Sequence, residues 1–219
     1  MAPFVTRFDL RAPGATGRER SELYRRSIEQ AAYLQARGRQ PIMVSEHHAS
    51  DDGYLPSPIP FTAAIAAVTT DVPITISALL VNFYDPIRLA EDLAVLDHLS
   101  GGRVSCTVGL GYRREEYALF GRPWETRGRD LEARLEVLLQ AWTGEPFEHE
   151  GRTVRVTPRP LSRPHPFLMY GGGSVAAARR AGRAGSVAVG ALLAGTQRPG
   201  VGGHRRVVAR LDQARDGDH

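Results

Sequence analysis

The chain has 219 residues, of which 42% are hydrophobic and 24% are charged, and its formal net charge is +4 at pH 7. This length and composition suit one globular domain with its own core and exclude a wholly disordered chain. All 28 basic residues are arginine, which excludes Schiff-base, P-loop and kinase chemistry, because each of these requires a lysine.

The single cysteine, Cys106, excludes an intrachain disulfide and a cysteine-based zinc site, and it is consistent with a reducing, cytoplasmic setting. The arginines are spread along the chain rather than clustered with aromatic residues, so we expect no nucleic-acid partner. No apolar run is long enough to span a membrane, and the first ten residues show no signal-peptide core. We therefore expect no membrane partner.

Short β-rich runs alternate with amphipathic helices along the chain. Strands are predicted at residues 5–10, 42–45, 74–81, 104–108, 167–170 and, with a weaker pattern, 186–193. Because parallel neighbours need crossover helices, this alternation predicts a parallel α/β sheet, which could be a closed barrel or an open doubly wound sheet.

Several local patterns mark the helices between these strands. Thr16 and Glu19 form a predicted capping box, and Asp85-Pro86 predicts the start of a helix that Gly101 ends. A predicted inner face includes Val68 in one helix and Leu99 in the next. Residues 131–142 are predicted to form a long helix, and residues 207–214 could form a last helix. Between the long helix and the fifth strand, residues 144–166 break the alternation with a predicted hairpin.

The first candidate site is Ser45-Glu-His-His48, directly after the second strand. In parallel α/β folds the carboxyl ends of the strands form the functional face. Histidine is the natural acid/base near neutral pH. Adjacent side chains on extended backbone point in opposite directions, so only His47 or His48 can face the barrel mouth. A structural role for both histidines is the alternative interpretation.

Two glycine-rich segments occupy the same face. Residues 171–174, Gly-Gly-Gly-Ser, follow the fifth strand and offer bare amides to an anion, or form only a tight turn. Residues 109–113, Gly-Leu-Gly-Tyr-Arg, follow the fourth strand but lack the third glycine of a dinucleotide fingerprint. The neighbouring Arg113 and Arg114 could bind an anion, although solvated side chains are the simpler expectation.

The remaining polar residues have simpler interpretations. We expect Cys106, inside the fourth strand and without an adjacent base, to be a buried structural thiol. Caps and surface charges are the simplest interpretation of four further residues, which are Asp97, Arg103, Glu115 and Glu116.

Taken in order, several segments resemble the bacterial-luciferase-like family of flavin-dependent oxidoreductases. The resemblance covers residues from about 4 to 185. Its matching segments are Val44-Ser-Glu-His-His48, Asp52-Gly-Tyr-Leu-Pro-Ser-Pro58, Asp85-Pro-Ile-Arg-Leu-Ala-Glu-Asp92, Leu96-Asp-His-Leu-Ser-Gly-Gly-Arg103, Gly109-Leu-Gly-Tyr-Arg-Arg-Glu-Glu-Tyr117 and Pro164-His-Pro-Phe-Leu-Met-Tyr-Gly-Gly-Gly173.

This resemblance implies a TIM (β/α)8-type barrel that binds FMN, or the deazaflavin coenzyme F-420, at the strand carboxyl ends. It assigns His47 the role of catalytic acid/base. It places a bulge with a non-prolyl cis peptide, against the flavin ring, at Ser77-Ala78. The phosphate amides correspond to Gly172 and Gly173, followed by Ser174, and Gly109 is expected to line the cofactor site.

The resemblance also implies a function and partners. We expect a monooxygenase that uses reduced flavin and O2 on a small organic substrate, in a homodimer. The chain departs from the family by having Leu110 where the luciferase has a phosphate-binding arginine. Eight β/α units need about 250 residues, so we expect an incomplete barrel of about six units over 1–185 and a divergent segment over 186–219. A shortened, non-catalytic flavin-binding remnant is the alternative.

Overall fold

The computed structural model describes residues 4–38 and 40–172 and the backbone strand at 187–189. The described strands are Thr6–Phe8 (β1), Ile42–Val44 (β2), Ile74–Leu79 (β3), Val104–Val108 (β4), Phe147–His149 (β5), Arg152–Val154 (β6), Phe167–Gly171 (β7) and Val187–Val189 (β8). The described α-helices are Gly17–Ala36 (α1), Pro58–Val68 (α2), Pro86–Ser100 (α3), Arg114–Leu119 (α4) and Arg127–Thr143 (α5), and a short 3-10 turn spans Val81–Phe83.

Six of these strands form one parallel sheet in the order β1-β2-β3-β4-β7-β8. Strand order follows chain order, as in a β/α barrel, and confirms the predicted α/β class. In the described part of the chain β1 and β8 are the two edges of the sheet. Strands β5 and β6 form a separate antiparallel hairpin, which accounts for the break in the alternation before β7.

The helix-start patterns are present in the structure. Thr16 accepts a hydrogen bond from the Glu19 backbone amide while the Glu19 side chain accepts one from the Thr16 amide, which is the predicted capping box of α1. Asp85 caps α3, and Gly101 ends it in the left-handed conformation at φ 63°. Helix α4 was not predicted, because six residues carry too little periodicity to be recognised.

The core lies between the sheet and its helices. Alternate strand residues such as Ile42, Val44, Ile74 and Ile76 are fully buried against the helices. Cys106 belongs to this layer, and burial raises the pKa of its thiol to about 12, as expected for a structural cysteine.

Two predicted core residues are exposed instead. Val68 is 43% exposed and Leu99 is 58% exposed. Each lies beside the buried face of its helix, because Thr69, next to Val68, and Leu96 and Ser100, near Leu99, are all buried. The apolar spacing was compatible with the buried face, but it does not show where around the helix that face ends.

Arg103 and Asp97, which were predicted to be caps or surface charges, instead make hydrogen bonds that join separate segments of the chain. The Arg103 guanidinium donates to the carbonyl oxygens of Ala66, Thr69, Val72 and Ser100, and so ties the ends of α2 and α3 together. Asp97 is buried and accepts hydrogen bonds at 2.7 and 2.8 Å from the backbone amide and hydroxyl of Ser162. Both roles involve distant partners, so local sequence could not reveal them.

The predicted helix at 207–214 lies outside the described residues, and the proposed division of the chain near residue 185 stays a prediction. None of the helices described is both long enough and apolar enough to cross a membrane.

Candidate active site

Polar side chains gather at the carboxyl ends of β2, β3 and β4. The residues are His47 and Glu46 after β2, the segment that follows β3, and Tyr112 and Glu116 in the loop and short helix after β4. Parallel strands end at the same edge of the sheet, which brings these segments together. This is the face on which the sequence placed the site.

His47 is held on two sides. Its Nδ1 lies 2.8 Å from Oε1 of Glu116, and its Nε2 lies 3.1 Å from the hydroxyl of Tyr112. The imidazole also packs edge-on against the rings of Tyr54 and Tyr112, with centroid separations of 4.7 and 5.2 Å. Since a carboxylate can only accept, Nδ1 carries the proton and Nε2 presents a lone pair. This arrangement suits a general base.

Glu116 is a site residue that the sequence analysis missed. It is fully buried, and its Oε1 also accepts a hydrogen bond from the backbone amide of His48 at 2.9 Å. Burial by itself would raise the pKa of Glu116, but the hydrogen bonds from His47 and His48 and the charge of Arg113 hold it below its ordinary value. Its Oε2 has no hydrogen-bond partner among the described residues. The expected surface role was therefore wrong.

His48 belongs to a separate network on the opposite side. Its Nε2 lies 2.9 Å from Oε1 of Glu46, and its ring packs edge-on against Phe83 and Phe120. Glu46 is also buried, and it accepts hydrogen bonds from the Leu80 amide at 2.7 Å and the Tyr84 hydroxyl at 2.8 Å. Burial and the nearby Glu46 raise the pKa of the Tyr84 hydroxyl. This network anchors the chain just after β3.

The end of β3 carries the irregularity that the family resemblance implied. The peptide bond between Ser77 and Ala78 is cis, and the pairing with β4 shifts register between Ser77 and Leu79. A Cβ placed on Gly109 would lie 2.7 Å from the Cβ of Ala78. Only glycine at this position, directly after β4, therefore leaves room for the bulge.

Of the three residues predicted to bind the cofactor phosphate, only Gly172 belongs to the described part of the chain. Gly172 is exposed just after β7 and has φ 145°, which few other residues adopt. Gly173 and Ser174 lie outside the described residues. A Cβ on the preceding Gly171 would come within 3.0 Å of Thr107 and 3.1 Å of the Val108 carbonyl, so β7 approaches β4 closely here.

The two arginines after β4 are not simply solvated. Arg113 donates to the His48 carbonyl at 3.1 Å and lies 3.7 Å from Glu116, while the Arg114 guanidinium stacks 4.8 Å from the centroid of Trp124. Arg113 therefore braces the histidine pair. In the part of the chain that the structure describes, no cluster of three or more His, Cys, Asp or Glu side chains could hold a metal ion.

A flavin fits the features of this face. Ser77 and Ala78 are half-buried at the bulge, and Gly109 and Gly171, at the carboxyl ends of the next two strands of the sheet, carry no side chain. A flat ring system can approach the backbone closely at such positions. Gly172 then offers a backbone that can come close to a phosphate. The residues present thus suit a phosphorylated flavin.

The sheet, its helices and the histidine-bearing strand ends define a protein of the β/α-barrel class. Within that class the chain belongs to the luciferase-like monooxygenase family, whose model matches residues 4–212.

Known relatives agree with this assignment. The FMNH2-dependent dimethylsulfone monooxygenase of Pseudomonas putida is 34% identical over 128 residues, which cover 55% of this chain and 35% of that protein. A Sinorhizobium fredii protein is 28% identical over 170 residues, covering 75% of this chain and 48% of that protein. The chain thus spans less than half the length of each of these relatives.

Solved structures show the same fold. A monooxygenase from Streptomyces bottropensis matches with a TM-score of 0.73 and 27% identity, over 84% of this chain and 57% of that one. The oxygenating constituent of 3,6-diketocamphane monooxygenase from Pseudomonas putida, solved with FMN, matches with a TM-score of 0.72 and 21% identity, over 84% of this chain and 56% of that one. At the latter identity the likeness shows the fold alone.

Proposed function

We propose that this chain carries the flavin-binding part of a monooxygenase that uses reduced FMN and O2 on a small organic substrate. The observation that carries this proposal is the His47–Glu116 pair, which lies at the carboxyl ends of the strands, on the same face as the Ser77-Ala78 bulge that ends β3. The names of the relatives support FMN as the cofactor. The deazaflavin F-420 is the alternative cofactor that the experiment below separates.

Different residues of the chain would bind the flavin ring and its phosphate. The bulge at Ser77-Ala78, with Gly109 beneath it, would support the flavin ring. Gly172, together with Gly173 and Ser174 from outside the described residues, would bind the phosphate. When bound, the reduced flavin supplies the electrons that reduce O2, so that one oxygen atom enters the substrate and the other leaves as water.

His47 would handle the proton in this reaction. Glu116 fixes the proton of the imidazole on Nδ1 and stabilises the positive charge that develops when Nε2 accepts a second proton. The substrate would therefore lie on the Nε2 side. Because Glu116 is fully buried, its effect on the imidazole is little screened by water.

We also propose that the protein acts as a homodimer. Three apolar side chains are exposed on neighbouring helices, Val68 on α2 and Val95 and Leu99 on α3, and the last two are one helical turn apart. Exposed apolar side chains on two helices that pack together suit a subunit contact. A second copy of the chain would cover them.

The cofactor proposal is tested by adding FMN and F-420 separately to the purified chain and recording absorption and fluorescence. We expect FMN to bind, with quenched flavin fluorescence, and F-420 to bind less tightly. Transfer of 18O from 18O2 into an added sulfone or ketone, with reduced FMN supplied by NADH and a separate flavin reductase, then tests the monooxygenase reaction, because free reduced FMN consumes O2 without the protein. FMN binding without substrate oxygenation would favour the alternative of a non-catalytic flavin-binding protein, and a lack of flavin binding would contradict both.

A further inference from the structure

His47 has no ring nitrogen free for a substrate in this structure. Nδ1 is bonded to Glu116, and Nε2 is 3.1 Å from the Tyr112 hydroxyl. With the proton on Nδ1, Nε2 is the acceptor and the phenol O–H donates to it. A general base needs a lone pair within reach of the proton that it removes. Tyr112 therefore occupies the position that a substrate must take.

The hydrogen bond between Tyr112 and His47 is weak and exposed to solvent. The Tyr112 side chain is 76% exposed, and it follows Gly111, which has φ 74°, in the loop between β4 and α4. Hydrogen bonds of exposed side chains contribute little because water competes for both groups. By contrast, the other aromatic neighbour of His47, Tyr54, is buried and receives a hydrogen bond from Arg7. Of these two rings, Tyr112 is the one that can leave at low cost.

We propose that Tyr112 is a capping residue for the acid/base of this site. Its hydroxyl covers Nε2 of His47 until a substrate replaces it. The substrate group that takes its place must donate a hydrogen bond as the phenol does, so the site favours compounds with an O–H or N–H at the reacting end. This inference rests on the proposed role of His47, although the capping contact itself can be tested without turnover.

The test measures how fast diethyl pyrocarbonate, which acylates unprotonated imidazole nitrogens, modifies His47 in the purified chain without added flavin or substrate. Peptide mass spectrometry gives the rate for each histidine. We expect Tyr112→Phe, which keeps the ring and removes the hydroxyl, to raise the His47 rate by roughly two- to tenfold, the range for one exposed hydrogen bond. Tyr112→Ala should raise it further.

Two controls make the result specific. Tyr33 is also an exposed tyrosine but lies on α1, so Tyr33→Phe should leave the His47 rate unchanged. His98, whose Nε2 contacts the Arg159 carbonyl, serves as an internal reference that should react equally in all the proteins. Equal His47 rates in the wild type and both Tyr112 variants, including no reaction in any of them, would overturn the capping role. Failure of flavin turnover would contradict the proposed function and leave this measurement intact.

Discussion

His47 and His48 are neighbours in sequence but belong to different hydrogen-bond networks. His47 faces Glu116 and Tyr112, while His48 faces Glu46 and two phenylalanine rings. Alternation along extended backbone was enough to predict that the two side chains diverge. It could not identify Glu116, because that residue comes 69 positions after His47 and only folding brings the two together.

The separate networks predict separate effects of substitution. His47→Ala should lower monooxygenase turnover by roughly 10² to 10⁴, the usual range for loss of a general acid/base. It should also lower the melting temperature, because the buried Glu116 carboxylate loses a hydrogen bond. His48→Ala should mainly lower the melting temperature, because it opens a cavity beside Phe83 and Phe120 and leaves Glu46 with one partner fewer. Turnover and thermal melts of both variants check this, and small equal losses of activity would remove His47 from the mechanism.

Glu116 should give the protein a recognisable response to acid. Its pKa is lowered in the folded chain, so its stabilising effect is present above the ordinary glutamate pKa and is lost as the pH falls through the lowered value. Glu116→Gln should therefore flatten the decline in unfolding free energy as the pH falls below the ordinary glutamate pKa of about 4.3. Part of the decline in unfolding free energy should remain in this variant, because other carboxyl groups, such as that of Asp9, also have lowered pKa values.

Glu115 offers a matched control for this measurement, because it is adjacent in sequence but exposed. Glu115→Gln should leave the pH profile of denaturant-induced unfolding unchanged. At neutral pH, Glu116→Gln should cost about 1–3 kcal/mol, the range for weakening a hydrogen-bonded buried group. A profile for Glu116→Gln that coincides with the wild type would show that this carboxylate has no special role.

At the level of elements, prediction succeeded where periodicity is strong and failed where a role depends on distant partners. The parallel strands, the capping box of α1 and the hairpin followed from local patterns. The bulge at the end of β3 could not be derived from composition or spacing. The family resemblance implied this bulge. The structure shows that the bulge requires a glycine at position 109, directly after the neighbouring strand β4.

The need for glycine at position 109 predicts the effect of adding one methyl group there. Gly109→Ala would place a Cβ 2.7 Å from that of Ala78, and the bulge would have to shift because neither atom belongs to a flexible side chain. We expect a loss of about 1–3 kcal/mol in unfolding free energy, typical of overpacking, together with weaker FMN binding. Gly17→Ala is the matched control, since a Cβ there meets nothing within 4 Å. FMN affinity equal to that of the wild type would separate the bulge from the cofactor site.

At the scale of the whole molecule, the sheet and its helices leave apolar side chains on the outer surface of α2 and α3. Val68 and Leu99 were predicted to face the core, but they are exposed beside the buried residues of their helices. With Val95, they form a surface on which no described element packs. The spacing of apolar residues predicted that these side chains are buried, but it could not show whether the chain itself or a partner covers them.

If a second copy covers this surface, light scattering should give a mass twice that of the 23.9 kDa chain. The double substitution Val95→Asp and Leu99→Asp would place two charges at the interface without hydrogen-bond partners. Since burying an unpaired charge is very costly, this variant should sediment as a folded monomer. Leu161→Asp is the control, because Leu161 is similarly exposed at 48% but lies in the loop before β7. A wild type that stays monomeric at high concentration, or a double variant that keeps the dimer mass, would place the subunit contact elsewhere or remove it.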